Sequence, residues 1–224
     1  MSVSQLSASS QNYLKVIWGL QEWSDAPVTT SVLASKLAVQ QSTVSDALSR
    51  LAAQGLIERE PYGPVALTDS GRSYAVQMVR RHRLIETFLV QLLGYRWDQV
   101  HEEAESLEHA ASDFMVERID ERLGFPRRDP HGDPIPGPNG DVTIPDAMLL
   151  SQVGSGSRVV VERISDADPQ LLQYFTDQGV GIGTIITVEA GSPYSDALEI
   201  TADGAAAVTL GSSATDAVWV SHPC

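Results

Sequence analysis

Residues 97–123 contain neither glycine nor proline; Gly94 lies upstream, and the next breakers are Gly124 and Pro126. That spacing predicts one helix across the window. Inside it runs HEEAESLEH, residues 101–109. Positions i, i+4, i+7 and i+8 share a helix face, so His101, Glu105, Glu108 and His109 project together. Two imidazoles and two carboxylates at that spacing match the mixed nitrogen and oxygen preference of a divalent first-row metal. The plainer explanation is a solvated acidic face, which Glu102 and Glu103 fit.

The 224 residues allow one large domain or two to three small ones. A hydrophobic content of 42% supports ordinary packed cores. The net charge of −14 argues against binding nucleic acid or a membrane surface by bulk charge. It leaves room for a segregated DNA-binding patch and suits carboxylates awaiting cations. Cys224 is the sole cysteine, which excludes an intrachain disulfide framework and a CxxC metal site. A reducing cytoplasm is the expected compartment. Residues 1–11 are Ser-rich without an apolar segment, and no window reaches the roughly 18 apolar residues of a membrane span, so no membrane partner is expected.

In chain order, residues 1–10 read as a loose tail, with Ser9 or Ser10 available to cap a first helix. Tyr13, Leu14, Ile17, Trp18 and Leu20 form its apolar stripe. Thr29, Thr30 and Ser31 are an N-cap cluster before a short amphipathic helix carrying Val32, Leu33 and Leu37. After a brief turn, Ser42 is the expected cap of a third helix, with Val44, Leu48 and Leu51 inward and Gly55 past its end. Two candidate strands, 56–60 and 65–68, flank Pro61, Tyr62, Gly63 and Pro64. The order is that of a winged helix-turn-helix, an element that docks on DNA; the alternative is a small α/β domain that binds none.

A long helix then runs to about residue 93 from a cap at Asp69 or Ser70, with apolar surface enough for a dimerising helical hairpin. Arg80, Arg81 and Arg83 surround His82; they either lie near DNA or pair with the acidic helix that follows. Residues 124–146 are a linker by composition. Beyond 153, strands at 158–164, 185–190, 198–201 and 207–210, with a helix at 169–176, suit a small barrel. The fold class expected is therefore mainly α with a small β barrel.

Several stretches resemble the diphtheria-toxin-repressor family of metal-dependent transcriptional regulators. They are NYLKVIW at 12–18, STVSDALSRLAAQGLIERE at 42–60, VALTDSGR at 65–72, RRHRLIETFL at 80–89, VHEEAESLEHAASD at 100–113 and DPHGDPIPG at 129–137. The chain is most similar to the manganese-responsive transport regulators that keep a third domain. The resemblance implies a winged helix-turn-helix over 1–74, a helical dimerisation and metal-binding domain over 75–141 and an SH3-like barrel over 150–222. It implies a primary metal site of Asn12, His82, Glu105, Glu108 and His109. It also implies an ancillary site of Glu86, His101, Asp129, His131 and Asp168, with Asp166 close by. Iron-sensing members tend to carry Cys at the position of Glu105 and manganese-sensing ones an acid, so manganese(II) is the expected cofactor and iron(II) the alternative. Asn12 departs from the usual Asp, and Lys15 stands where some members have a ligating Glu, which argues against a binuclear site.

The implied function is a metal-dependent repressor whose homodimer binds a palindromic double-stranded DNA operator controlling metal homeostasis genes. Gln41, Ser42, Thr43, Ser45 and Asp46 face outward on the recognition helix. Lys36, Arg50 and Arg59 are the expected phosphate contacts. Asp46 replaces a Gln common in the family; it can accept a hydrogen bond from a cytosine amino group or repel phosphate. Two other classes compete. A hydrolytic metal centre lacks support, because neither HExxH nor GxSxG is present. A metal-independent winged-helix regulator would bind its operator in chelator.

Overall fold

The structure is a computed structural model that describes residues 3–60, 63–192 and 194–223. Pro61 and Tyr62 of the expected wing turn, and Cys224, lie outside the described residues. The α-helices are α1 (Ala8–Glu22), α2 (Thr30–Lys36), α3 (Gln41–Ala53), α4 (Asp69–Leu93), α5 (Val100–Glu108), α6 (Asp113–Leu123), α7 (Pro169–Asp177) and α8 (Ser212–Thr215). The strands are β1 (Ile57–Arg59), β2 (Val65–Leu67), β3 (Met148–Leu149), β4 (Ser157–Ile164), β5 (Ile185–Ala190), β6 (Leu198–Ala202), β7 (Val208–Leu210) and β8 (Val218–Ser221). They form two compact units. One holds the chain as far as Ile85, with Glu105–Arg122 and Ile135–Val142; the other holds Glu86–Ala104, Leu123–Pro134 and the chain from Thr143 onward.

The first unit contains the winged helix. Leu14, Ile17 and Trp18 of α1 sit one turn apart and bury against Leu33 of α2 and Val44, Leu48 and Leu51 of α3. β1 and β2 pair antiparallel, with Ile57 opposite Leu67, to make the wing. Thr68 begins α4: its hydroxyl accepts from the Gly71 amide at 3.1 Å and donates to the Gly55 carbonyl at 2.8 Å. A Cβ at position 71 would come within 1.8 Å of the Leu56 carbonyl oxygen, so only glycine lets α4 start this close to the wing.

Several local expectations need correction. Residues 3–5 form a 3-10 turn rather than a loose tail, and Val3 is buried. The cap of α1 is Ser7, not Ser9 or Ser10, because its hydroxyl reaches the Ser10 amide at 3.2 Å. Gln40 rather than Ser42 is the N-cap of α3, and no side chain caps that helix. The uninterrupted 97–123 helix is broken. A 3-10 turn at Trp97–Gln99 leads into α5, which ends at Glu108. The Ser112 hydroxyl accepts from the Met115 amide to start α6 afresh. A serine N-cap followed by Asp113 is itself a helix start, so no Gly or Pro was needed to divide the run.

The second unit is built on an antiparallel sheet in the order β3-β8-β4-β5-β6-β7, open between its ends and barrel-like. Its core joins Val159 and Val161 of β4, Ile186 and Val188 of β5, Val220 of β8 and Phe175 of α7. β3 and β8 extend the sheet beyond the four expected strands. The Pro/Gly-rich segment is no free linker: Asp129, His131, Asp133 and Ile135 are all buried. No helix among the described residues is long and apolar enough to cross a membrane.

The turn between α2 and α3 carries a measurable strain. Ala38 adopts φ +54°, and the Val39 amide bonds back to the Ala34 carbonyl at 3.1 Å, closing a left-handed helix end that favours glycine. Ala38→Gly is expected to stabilise the protein by about 0.5–1 kcal/mol, the relief of the left-handed Cβ penalty less the unfolded-state entropy that glycine adds, read as a higher denaturant midpoint at unchanged slope.

Candidate metal centre

The first cluster lies within the first unit. α1 contributes Gln11, Asn12 and Lys15, α4 contributes His82, and α5 contributes Glu105 and Glu108, with His109 one residue past its end. The Glu108 side chain is completely buried. Its Oε2 lies 2.6 Å from His82 Nδ1, and its Oε1 accepts from Lys15 Nζ at 2.6 Å. Lys15 Nζ also donates to Glu105 Oε1 at 2.5 Å. His109 Nε2 stands 3.5 Å from Glu108 Oε1, while its Nδ1 is 2.6 Å from Gln11 Oε1. Burial pushes the Glu108 carboxyl up, but the His82 and Lys15 charges and hydrogen bonds outweigh it and hold it below the usual range.

His82, Glu105 and Glu108 each offer a donor atom within 4.8 Å of the others. Asn12 Oδ1 is buried and accepts no hydrogen bond among the described residues. A buried amide oxygen without a partner is costly, and a cation would satisfy it. On these grounds the residues fit a divalent ion. Sequence reasoning missed Gln11; its position beside Asn12, with Nε2 bonding the Val3 and Leu6 carbonyls, explains how the N-terminal turn reaches His109.

The arginines around His82 settle on acids. Arg81 is buried, donates to the Glu108 carbonyl at the end of α5, and pairs with Asp113 at the start of α6, fixing the elbow that carries His109. Arg80 pairs with Asp120, and Arg83 makes a two-pronged pair with Glu22 of α1.

The second cluster lies within the second unit and centres on buried Glu86. His101 Nδ1 is 2.7 Å from Asp166 Oδ2 and 3.6 Å from Glu86 Oε1. His131 Nδ1 is 3.9 Å from Glu86 Oε2, and its Nε2 is 2.8 Å from the Trp97 carbonyl. Glu86, Asp129 and His131 form one group with donors within 4.8 Å, and Glu86, His101 and Asp166 form another. The structure therefore brings Asp166 to this cluster in place of Asp168. The Asp168 carboxylate is engaged as the N-cap of α7, accepting from the Gln170 amide at 2.9 Å. Proximity in sequence was the only signal for Asp166.

The four residues of the opening helix face thus serve two clusters. From 101 to 109 an α-helix advances about 12 Å, too far for one ion to touch both ends. His101 joins Glu86 and Asp166; Glu105, Glu108 and His109 join α1 and α4.

On α3, Gln41, Ser42, Thr43, Asp46 and Arg50 are exposed and Ser45 is half-buried; Lys36 and Arg59 are exposed on α2 and β1. Because no side chain caps α3, its first amides are available to a phosphate.

A winged helix accompanied by two His/carboxylate clusters defines a metal-responsive DNA-binding regulator. Residues 5–65 match the family described as iron dependent repressor, N-terminal DNA binding domain. Residues 68–137 match the iron dependent repressor, metal binding and dimerisation domain, and residues 148–222 match the FeoA domain. The iron-dependent repressor IdeR of Mycobacterium leprae is 32% identical over 200 residues, 84% of this chain and 86% of that protein. The diphtheria toxin repressor of Corynebacterium glutamicum is 31% identical over 198 residues, 83% and 86% of the two chains. A solved manganese-dependent transcriptional repressor in complex with manganese is 51% identical, with a TM-score of 0.91 over 96% of this chain and 100% of that one. The manganese regulator SloR is 31% identical, with a TM-score of 0.79 over 96% and 98%. The chain belongs to the iron-dependent repressor family, the metal-dependent transcriptional regulators that include the diphtheria toxin repressor. It is a repressor and not an enzyme; its partners are operator DNA, a second copy of itself and a divalent metal.

The Asp166 carboxylate at 2.7 Å and the Glu86 carboxylate at 3.6 Å raise the His101 pKa to about 10, against the cost of its burial. The stability this gives the metal-free protein is full below the unfolded value near 6.5 and is lost as pH rises through about 10. A proton NMR titration of the metal-free protein should place the His101 midpoint well above 6.5, and Asp166→Asn should lower it. A midpoint at or below 6.5 would show that the pair does not form.

Proposed function

We propose that this chain is a manganese(II)-activated repressor that acts in the cytoplasm on genes of metal uptake and homeostasis. The observation that carries this reading is the donor set of the first cluster: two carboxylates, imidazoles and the Asn12 amide oxygen, with no thiolate. Hard oxygen donors suit manganese(II) better than softer ions. The likeness to a manganese-bound repressor supports it. Iron(II) is the second reading, favoured by the likeness to iron-dependent repressors.

In this reading residues 1–74 dock on DNA, 75–141 dimerise and hold metal, and 150–222 form the barrel domain. Asn12, His82, Glu105, Glu108 and His109 hold the primary ion; Glu86, His101, Asp129, His131 and Asp166 hold the ancillary one. A bound ion supplies positive charge that ties α1 to α4 and α5 through their own side chains. α1 packs against α3 in the winged-helix core, so its anchoring constrains the recognition helix. Metal that binds this anchored conformation preferentially shifts the population toward it. In a two-fold dimer the spacing of the recognition helices then matches half-sites about one helical turn apart.

The test is fluorescence anisotropy with DNA from the upstream region of the chain's own gene, in chelator and then with manganese(II), iron(II) and zinc(II). Manganese(II) is expected to tighten binding sharply, and Glu108→Ala to abolish that response while leaving helix content intact. A Glu108→Ala protein that still responds fully would refute the site assignment; a steeper response to iron(II) would select the second reading. Lys36, Arg50 and Arg59 give about six phosphate contacts per dimer, so the salt dependence of log affinity should have a slope of about −5 or shallower.

A further inference from the structure

The metal-site reading leaves two side chains of the first cluster unused, Gln11 and Lys15, and Lys15 sits at its centre. Lys15 Nζ donates to Glu105 Oε1 at 2.5 Å and to Glu108 Oε1 at 2.6 Å, and lies 3.5 Å from His82 Nδ1. Those are the three residues whose donor atoms converge within 4.8 Å. The Lys15 side chain is only 11% exposed, so this is an inward-folded ammonium and not a surface pair. A divalent ion seated among these donors would lie against the ammonium, which already holds Oε1 of both carboxylates.

We propose that Lys15 is an internal counter-ion which a divalent ion must displace, and that it sets the metal threshold of the site; this rests on the metal-site reading above. Three physical arguments support it. Two carboxylates, one fully buried, repel in the absence of a cation, and Lys15 supplies that cation from within the chain. An ammonium on a four-carbon stem is a compact charge that can swing away, which a planar guanidinium locked on two carboxylates does less readily. The carboxylate pairs of Lys15 tie α1 to α5, whereas a bound ion would tie α1 to α4 as well through Asn12 and His82. The device resists weakly attracted or scarce ions, because each must overcome a charge that is covalently present at high effective concentration.

Two measurements test the proposal on the full-length protein. The chain has only two lysines, Lys15 and exposed Lys36, so Lys36 is an internal reference for amine labelling. Brief acetylation read by mass spectrometry should find Lys15 protected relative to Lys36 in chelator, and severalfold more reactive with saturating manganese(II). Calorimetric titration of Lys15→Met, which keeps most of the stem and removes the charge, should give manganese(II) affinity about tenfold or more above wild type; Lys15→Arg should not. Manganese(II) binding by wild type with Lys15 still protected, or Lys15→Met binding no tighter than wild type, overturns this inference alone. Wild-type protein that binds no manganese(II) overturns the metal-site reading with it. Should Lys15→Met fail to fold, the labelling of wild type decides the question unaided.

Discussion

The Glu108 carboxylate has no solvent exposure, and the architecture of the first unit follows from compensating it. An ionised carboxylate removed from water is tolerable only when charge and hydrogen bonds replace hydration. The compensation comes from three directions: Lys15 on α1, His82 on α4, and His109 at the end of its own helix. Each partner is separately held. Gln11 bonds His109, and Arg81 closes the carbonyl end of α5 while pairing with the first acid of α6. Arg83 joins α4 to Glu22 at the far end of α1. Whatever cation occupies this site therefore acts on α1, and α1 is part of the core that supports the recognition helix.

In the second unit Glu86 plays the corresponding part, but the supporting structure is irregular backbone. The Asp129 carboxylate accepts from the His131 and Asp133 amides at 2.8 and 2.9 Å, closing a tight loop. Gly132 sits at φ +92°, where an added Cβ would meet the Glu162 carbonyl oxygen at 2.0 Å, so the loop lies flush against β4. Trp97 stacks on the His131 ring with centroids 6.0 Å apart. Burial opposes charge on His131, but Glu86, Asp129, Asp166 and the Trp97 carbonyl outweigh it and raise its pKa. Prolines and glycines here shape a loop that carries the buried Asp129, His131 and Asp133 side chains.

Charge is segregated along the chain. Residues 1–74 hold five Lys and Arg against six Asp and Glu, whereas residues 75–224 hold ten against twenty-three. The net charge of −14 thus belongs almost wholly to the part that bears the carboxylate clusters and the barrel-like sheet. A nearly neutral winged helix with exposed Lys36, Arg50 and Arg59 approaches a polyanion without the repulsion that the whole-chain charge implies.

Periodicity and cap chemistry were enough to read the winged-helix order, the long α4, the strand-rich C-terminal part, and the helix spacing of His101, Glu105 and Glu108. These are local properties, because apolar spacing and cap chemistry act within a few residues. The division of that helix face between two clusters was not legible in its spacing and was implied only by the family resemblance, since it depends on which carboxylates and imidazoles other elements bring to each end. The break after Glu108 was hidden because Ser112 and Asp113 restart a helix without a breaker. Asp166 replaced Asp168 because Asp168 was committed to capping α7, a competition decided only once α7 and β4 are in place. The character of 124–146 was misread for the same reason: composition records turn propensity, while burial of Asp129, His131 and Asp133 records packing against β4. Lys15 shows the limit most clearly. Its identity was in the sequence, but its place between Glu105 and Glu108 spans some 90 residues of chain, and only the tertiary packing of α1 on α4 and α5 puts a positive charge where the carboxylates need one.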